Sequence, residues 1–229
     1  MTSLDGAVVL VTGANGGLGI EFVQQALDRG AAKVYATART PKLWDDARVV
    51  PLALDVLDPA SIAAAVAAAG DTTVLINNAG VGGGGPISGD LAAIRSIFET
   101  NFFGAVAVAA AFAPVVAGGA IVNVHSLLSW NGVAGAYSAT KAALWSATNS
   151  LRLERAGQGT QVVGLHLGYT DTPMTADVTA PKGDPADVVR LAYDGLEAGS
   201  LEVLADAPSV ATKQLLSQPV EAMYPQLAR

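Results

Sequence analysis

Cysteine is absent from all 229 residues, so neither a disulfide framework nor thiolate chemistry is available. That fits a reducing compartment, and cytoplasmic residence is expected. Charge is scarce: Asp, Glu, Lys and Arg make up 14% of the chain, against 51% hydrophobic residues. Such a composition argues against disorder and for a large core. No cluster of Lys and Arg occurs and the formal net charge is −7, so no basic face is offered to nucleic acid. The acidity reads as a device for solubility. Met1 to Gly6 carries no basic segment and runs directly into an apolar strand, unlike a signal peptide. From Thr100 to Thr140 there is no Asp, Glu, Lys or Arg. A membrane span needs roughly 20 consecutive strongly apolar residues. Here Pro114 and Gly118-Gly119 interrupt the run and much of it is alanine, so a buried helix followed by a buried strand is expected, with no membrane partner.

What is present is an alternation. Seven short β-rich runs, Ala7–Thr12, Lys33–Thr37, Val49–Leu54, Thr73–Ile76, Ala120–Val124, Gln161–Leu167 and Leu201–Leu204, are separated by helical segments. Helices are predicted over Gly17–Arg29, Pro59–Ala69, Ala93–Val116, Tyr137–Arg155 and Pro185–Ala198, the last opened by Asp184 as N-cap. Weaker helical patterns cover Lys42–Arg48 and Ser209–Ser217. Continuous apolar strands, each followed by a helix, imply an α/β fold with a parallel sheet covered on both faces. The length suits one doubly wound domain over residues 1–229.

Between the first strand and first helix lies Val11-Thr12-Gly13-Ala14-Asn15-Gly16-Gly17-Leu18-Gly19. Gly13 permits a tight turn, Gly17 lets the backbone approach a pyrophosphate, and Gly19 allows helix and strand to pack closely. The helix start adds free N–H groups and partial positive charge. At the end of the second strand stands Thr37-Ala38-Arg39-Thr40, with no acid before Asp45. A carboxylate there would bind ribose hydroxyls and favour NAD, whereas the Arg39 guanidinium can hold a 2′-phosphate, which favours NADP(H). Further on, Tyr137 and Lys141 are four residues apart and share one helix face. An ammonium amid so much apolar sequence needs a reason, because an unpaired buried charge is expensive. Its charge would lower the pKa of the phenol, which is too weak an acid near 10 for efficient proton exchange at neutral pH.

The spacing Gly-x-x-x-Gly-x-Gly after a Thr resembles the short-chain dehydrogenase/reductase family, and the resemblance runs along nearly the whole chain. Asn77-Asn78-Ala79-Gly80, Asn101, Ser126 and Tyr137-x-x-x-Lys141 follow in the family's order. The resemblance implies a Rossmann fold and an oxidoreductase acting with NADP(H) on a small, mostly apolar ketone, aldehyde or secondary alcohol. Tyr137 is then the general acid and base, Ser126 orients the substrate oxygen, Lys141 tunes the phenol and holds the nicotinamide ribose, and Asn101 holds a relay water. Ser129 is the alternative serine, because the loop from Ser126 to Tyr137 is slightly short for the family. The cofactor set is Gly13, Asn15, Gly16, Gly17, Leu18, Gly19, Arg39, Thr40, Asp55, Val56, Asn78, Ala79, Gly80, Gly168, Thr170 and Thr172, with Tyr137 and Lys141; no metal is expected. Gly16 stands where some NADP-binding members carry a second basic residue, and Leu167 where the family has a proline. His125 and His166 are read as structural. Residues 173–184 are expected to form a small lid, and the two long helices to build a homodimer or homotetramer. The rival reading is a non-catalytic NADP-binding sensor or scaffold, disfavoured because Tyr137 and Lys141 are both intact.

Overall fold

The computed structural model describes residues 2–228. Its seven strands are β1 (Val8–Thr12), β2 (Lys33–Ala38), β3 (Val49–Ala53), β4 (Val74–Asn77), β5 (Ala120–Val124), β6 (Gln161–His166) and β7 (Glu202–Leu204). They form one sheet in the order β3-β2-β1-β4-β5-β6-β7, and each neighbouring pair is parallel. The predicted doubly wound α/β fold is therefore the fold observed.

Helices α1 (Leu18–Asp28) and α6 (Pro185–Glu197) cover one face, burying Phe22, Val23, Tyr193 and Leu196 against Val9, Val11 and Val34. The Tyr193 hydroxyl donates to the Phe22 carbonyl at 2.7 Å, which satisfies the one polar atom of this fully buried ring. Helices α2 (Pro59–Ala68) and α4 (Ala105–Phe112) cover the other face with Ile62, Ala65, Val108 and Phe112. Burial of each such large side chain contributes roughly 1.5–3 kcal/mol. The strand order reverses between β1 and β4. Loops leaving the carboxyl ends of those two strands diverge there and open a crevice, the usual ligand position in open α/β sheets.

Two predicted elements differ. Lys42–Arg48 is not helical. Asp46 accepts from the Arg48 backbone N–H at 2.8 Å, a local side-chain turn that competes with helix formation. The single helix predicted over Ala93–Val116 is three pieces: α3 (Leu91–Phe98), a π-helical stretch Glu99–Gly104, and α4. Nor is it wholly buried. By length and composition Leu91–Phe112 could cross a membrane, and 28% of its most apolar window is buried. Alanines give it an apolar outer face without core contacts, and Phe103 is exposed. The expectation of a buried helix is thus corrected to one buried along a single stripe.

Candidate active site

A cleft of about 920 Å³ opens at the switch point. Gly13, Gly16, Gly17 and Leu18 line one side, and Asn78, Ala79 and Gly80 continue it from the loop after β4. Gly13 (φ 68°) and Gly17 (φ 51°) both need the left-handed backbone that glycine tolerates. A Cβ on Gly19 would stand 2.2 Å from the Gly13 carbonyl oxygen, so close packing of helix on loop requires that glycine. Thr12 ties the two loops together, since its hydroxyl accepts the N–H groups of Asn78 and Ala79 at 2.9 Å each. The Asn78 amide donates back to the Thr12 carbonyl at 2.9 Å.

Of the other predicted cofactor residues, Asn15, Arg39, Thr40, Asp55 and Val56 do not line the cleft. Asn15 is occupied internally: its amide donates to the Thr40 carbonyl at 2.7 Å, and its oxygen accepts from the Lys42 N–H at 3.2 Å. This clip holds the loop after β2 against the glycine turn. Arg39 and Thr40 are exposed on that loop, and the Arg39 guanidinium makes no hydrogen bond or ion pair among the described residues. Asp55 sits at the end of β3, where it accepts from the Leu57 N–H at 3.0 Å. Val56 packs on the π-helical stretch, where a Cβ on Gly104 would meet its Cγ2 at 2.8 Å.

On the other side of the cleft stand Ser126, Tyr137 and Lys141. Ser126 leaves the end of β5, and helix α5 (Ala136–Arg155) carries the other two on one face. Lys141 Nζ donates to the Val124 carbonyl at 2.9 Å and lies 5.7 Å from the centre of the Tyr137 ring. Burial holds the Tyr137 phenol up to about 12, with the neighbouring Ser126 hydroxyl pulling the other way. Burial also pushes the Lys141 ammonium down to about 8. Desolvation disfavours the charged form of each group.

Asn101 lies at the π-helical stretch and is buried. Its amide donates to the Val81 carbonyl and its oxygen accepts from the Val81 N–H, both at 2.8 Å. The side chain is thereby committed to the loop after β4. A Cβ on Gly80 would stand 3.3 Å from Asn101 Oδ1 and 3.9 Å from Lys141 Nζ, so these groups converge on one glycine. Ser129, the alternative serine, is buried off the cleft.

The sequence matches the short chain dehydrogenase family over residues 7–183. This chain is a member of the short-chain dehydrogenase/reductase family. It is 32% identical to the ketoacyl reductase HetN of Nostoc sp. over 90% of this chain and 80% of that protein. It is 35% identical to an NADPH-dependent 1-acyldihydroxyacetone phosphate reductase of Schizosaccharomyces pombe over 72% of this chain and 60% of that one. A short chain dehydrogenase from Burkholderia cenocepacia, solved in complex with NADP, superposes with a TM-score of 0.93 at 35% identity over the full length of both chains. One from Burkholderia phymatum in complex with NAD gives 0.83 at 25% identity, covering 97% of this chain and 96% of that one.

This chain's own residues fit a dinucleotide. Helices α2, α3, α6 and α7 (Ala207–Leu215) each start with an aspartate, Asp58, Asp90, Asp184 or Asp206, whose carboxylate accepts a backbone N–H of the first turn. Helices α1 and α5 start with Gly17 and Gly135 and have no side-chain cap. Both starts face the cleft. The Ala136 N–H of α5 is taken by the Gly85 carbonyl and the Gly19 N–H of α1 by that of Gly16, both at 3.0 Å. A first turn without a side-chain cap still favours an anion, and the bare glycine turn at α1 leaves room for one. Gly168, Thr170 and Thr172 line the far end. A Cβ on Gly17 would be 3.4 Å from the Thr172 methyl, so this loop abuts the glycine turn.

Residues that sequence reasoning missed act on these loops. Thr12 is one, noted there only as a spacing mark. Asp206 is another: it accepts from the Gly168 N–H at 2.6 Å and so holds the loop after β6. The pattern Asp206-Ala207-Pro208, a capping acid followed by proline in the first turn, could have revealed it. The two histidines pack as a column. His166 stacks between Trp130 (4.0 Å) and His125 (4.8 Å), and its Nδ1 lies 3.3 Å from the Ser126 carbonyl. Burial holds His166 down to about 4 and His125 well below its ordinary value, so both rings are neutral at pH 7.

Proposed function

We propose that this chain is an NADP(H)-dependent carbonyl reductase, with Tyr137 as proton donor, acting on a small and mostly apolar ketone or aldehyde. The observation that carries this is the single cleft joining the open start of α1 to Ser126, Tyr137 and Lys141. The bound nicotinamide supplies the hydride that the protein itself lacks. Tyr137 gives its proton to the carbonyl oxygen, and Ser126 donates a hydrogen bond that holds that oxygen beside the phenol. Burial leaves the phenol protonated in the free protein, and easing that proton's transfer to substrate is the part assigned to the Lys141 ammonium. Lys141 positions the ribose end, and its cationic form favours the phenolate left after proton transfer. Arg39, exposed and unpaired among the described residues, is the group for a 2′-phosphate.

Apolar side chains support the substrate class. Val81, Leu127, Leu128, Val133, Tyr169, Met174 and Val178 line the cleft, and Lys141 is its one Asp, Glu, Lys or Arg side chain. Among the described residues, no guanidinium lines the cleft to meet a carboxylate or phosphate near the phenol. Residues 173–184 act as the lid; a Cβ on Gly82 would meet Met174 Cγ at 3.4 Å across the mouth. NADPH oxidation followed at its absorbance band, against matched neutral ketones and keto acids, tests the reading. Turnover of neutral apolar ketones is expected, with keto acids at least about tenfold poorer in kcat/KM, since an unpaired charge in an apolar pocket is costly. Preference for the acids, or turnover with neither series, refutes it.

A further inference from the structure

The loop between Ser126 and Tyr137 forms one wall of the cleft through Leu127, Leu128, Val133 and Ala134. Two single-turn 3-10 segments, Leu127–Ser129 and Gly132–Ala134, bond it locally, within the loop and to the first turn of α5. Its middle is held from far along the chain. Lys213 Nζ lies over the Trp130 ring, 5.6 Å from the centre. Asn131 Nδ2 donates to Met223 Sδ at 3.6 Å. The Gly132 N–H donates to the Tyr224 hydroxyl oxygen at 2.8 Å. Three consecutive loop residues are thus each met by one side chain of the segment that follows β7. None of these contacts serves the chemistry derived above. A Cβ on Gly132 would stand 3.3 Å from the Tyr224 hydroxyl, so the loop comes up to the phenol with bare main chain.

We propose that Tyr224 is a positioning residue for substrate recognition: its hydroxyl clamps Gly132 and so sets where Val133 and Ala134 stand against the substrate. This rests on the reading of the cleft as a carbonyl reductase site. Val133 is largely exposed. Its N–H donates to Asn131 Oδ1 at 3.1 Å and that of Ala134 to Ser138 Oγ at 3.2 Å, so the turn moves as a unit and the bond from Gly132 to Tyr224 ties that unit to the segment after β7. The loss of one such bond changes a loop equilibrium by roughly 2- to 12-fold. Tyr224 makes no contact with the glycine turn or with Lys141, so cofactor affinity is independent of the clamp.

The test is Tyr224→Phe, which keeps the ring and removes the acceptor, with Met223→Ala as a second variant. Steady-state kinetics on a series of neutral ketones, NADPH affinity by fluorescence, and hydrogen exchange of the Gly132 amide are measured on each protein. For Tyr224→Phe the expected result is a KM raised roughly 3- to 10-fold, kcat within about twofold of the parent, unchanged NADPH affinity and faster exchange at Gly132. Met223→Ala should shift KM in the same direction by less. An unchanged KM, or an equal loss of NADPH affinity, overturns the clamp. If the unmodified protein oxidises NADPH with no ketone, the reductase reading is what fails; exchange at Gly132 then decides the clamp alone, and equal rates in parent and variant reject it.

Discussion

On the glycine-turn side, the cleft is walled by Gly13, Gly16, Gly17 and the stretch Asn78–Gly80, where short or absent side chains leave the main chain to meet a ligand. Across from it stand Leu127, Leu128, Val133, Tyr169 and Met174, which come from separate loops and present side chains. The helix starts follow the same division. Four helices away from the glycine turn close their first turn with an aspartate, while α1 has no side-chain cap. The first side binds by backbone geometry, which requires glycine at fixed positions. The second side binds by shape and apolarity, which many side chains can supply. A family can therefore hold its cofactor wall constant while its substrates vary.

The sharpest way to break that comparison is at the residue where the two sides meet. Tyr137→Phe should lower kcat by roughly 10²- to 10⁴-fold, the usual span for a lost acid–base group, with NADPH affinity kept. The variant loses one hydroxyl and no packing volume, so its thermal midpoint should stay close to the parent's. Equal loss of NADPH binding would mean that the phenol belongs to the cofactor wall and not to the chemistry.

A smaller effect is expected at Arg39, which sharpens the cofactor side alone. Arg39→Asp replaces a free guanidinium with a carboxylate that repels a 2′-phosphate and accepts from ribose hydroxyls. NADPH affinity should fall by roughly 10- to 100-fold while NADH binding improves, with the KM for a neutral ketone unmoved. The parent protein preferring NADH would remove the reason for the experiment and assign Arg39 to the surface.

The two sides also differed in how well they could be read from sequence. Gly13, Gly17 and Gly19 announce themselves, because left-handed turns and a 2.2 Å approach admit no other residue. The continuous apolar strands gave the whole sheet for the same reason: burial on both faces leaves one period. The helix near Asn101 was misread as unbroken because a π-helical insertion changes no hydrophobic pattern; it rests on Asn101 bonding the Val81 main chain. Lys42–Arg48 was misread as helical because its composition permits a helix, and the Asp46 turn competes at close to equal energy. Thr12, Asp206 and Tyr224 escaped notice because each acts on backbone distant in sequence, 66, 38 and 92 residues away. The Tyr137–Lys141 spacing was legible as one helix face, but the balance of their pKa values was not, since it depends on burial.

That balance yields the smallest prediction. Lys141 keeps its proton to about 10.4 in an unfolded chain and to about 8 when folded. Between those values the unfolded state binds more protons, so stability rises with pH across the window from about 8 to about 10.4. Tyr137 acts oppositely and later: its folded pKa of about 12 exceeds the unfolded value of about 10, so its contribution is lost as pH climbs between them. The parent's thermal midpoint, measured against Lys141→Met at each pH, should therefore gain a few degrees from pH 8 to pH 10. A flat difference over that interval would show that Lys141 stays charged in the folded protein. The Val124 carbonyl at 2.9 Å, together with the Tyr137 ring, would then offset the burial of the ammonium. In that case the ammonium, already the main form at pH 7, persists beside the phenol well above pH 8.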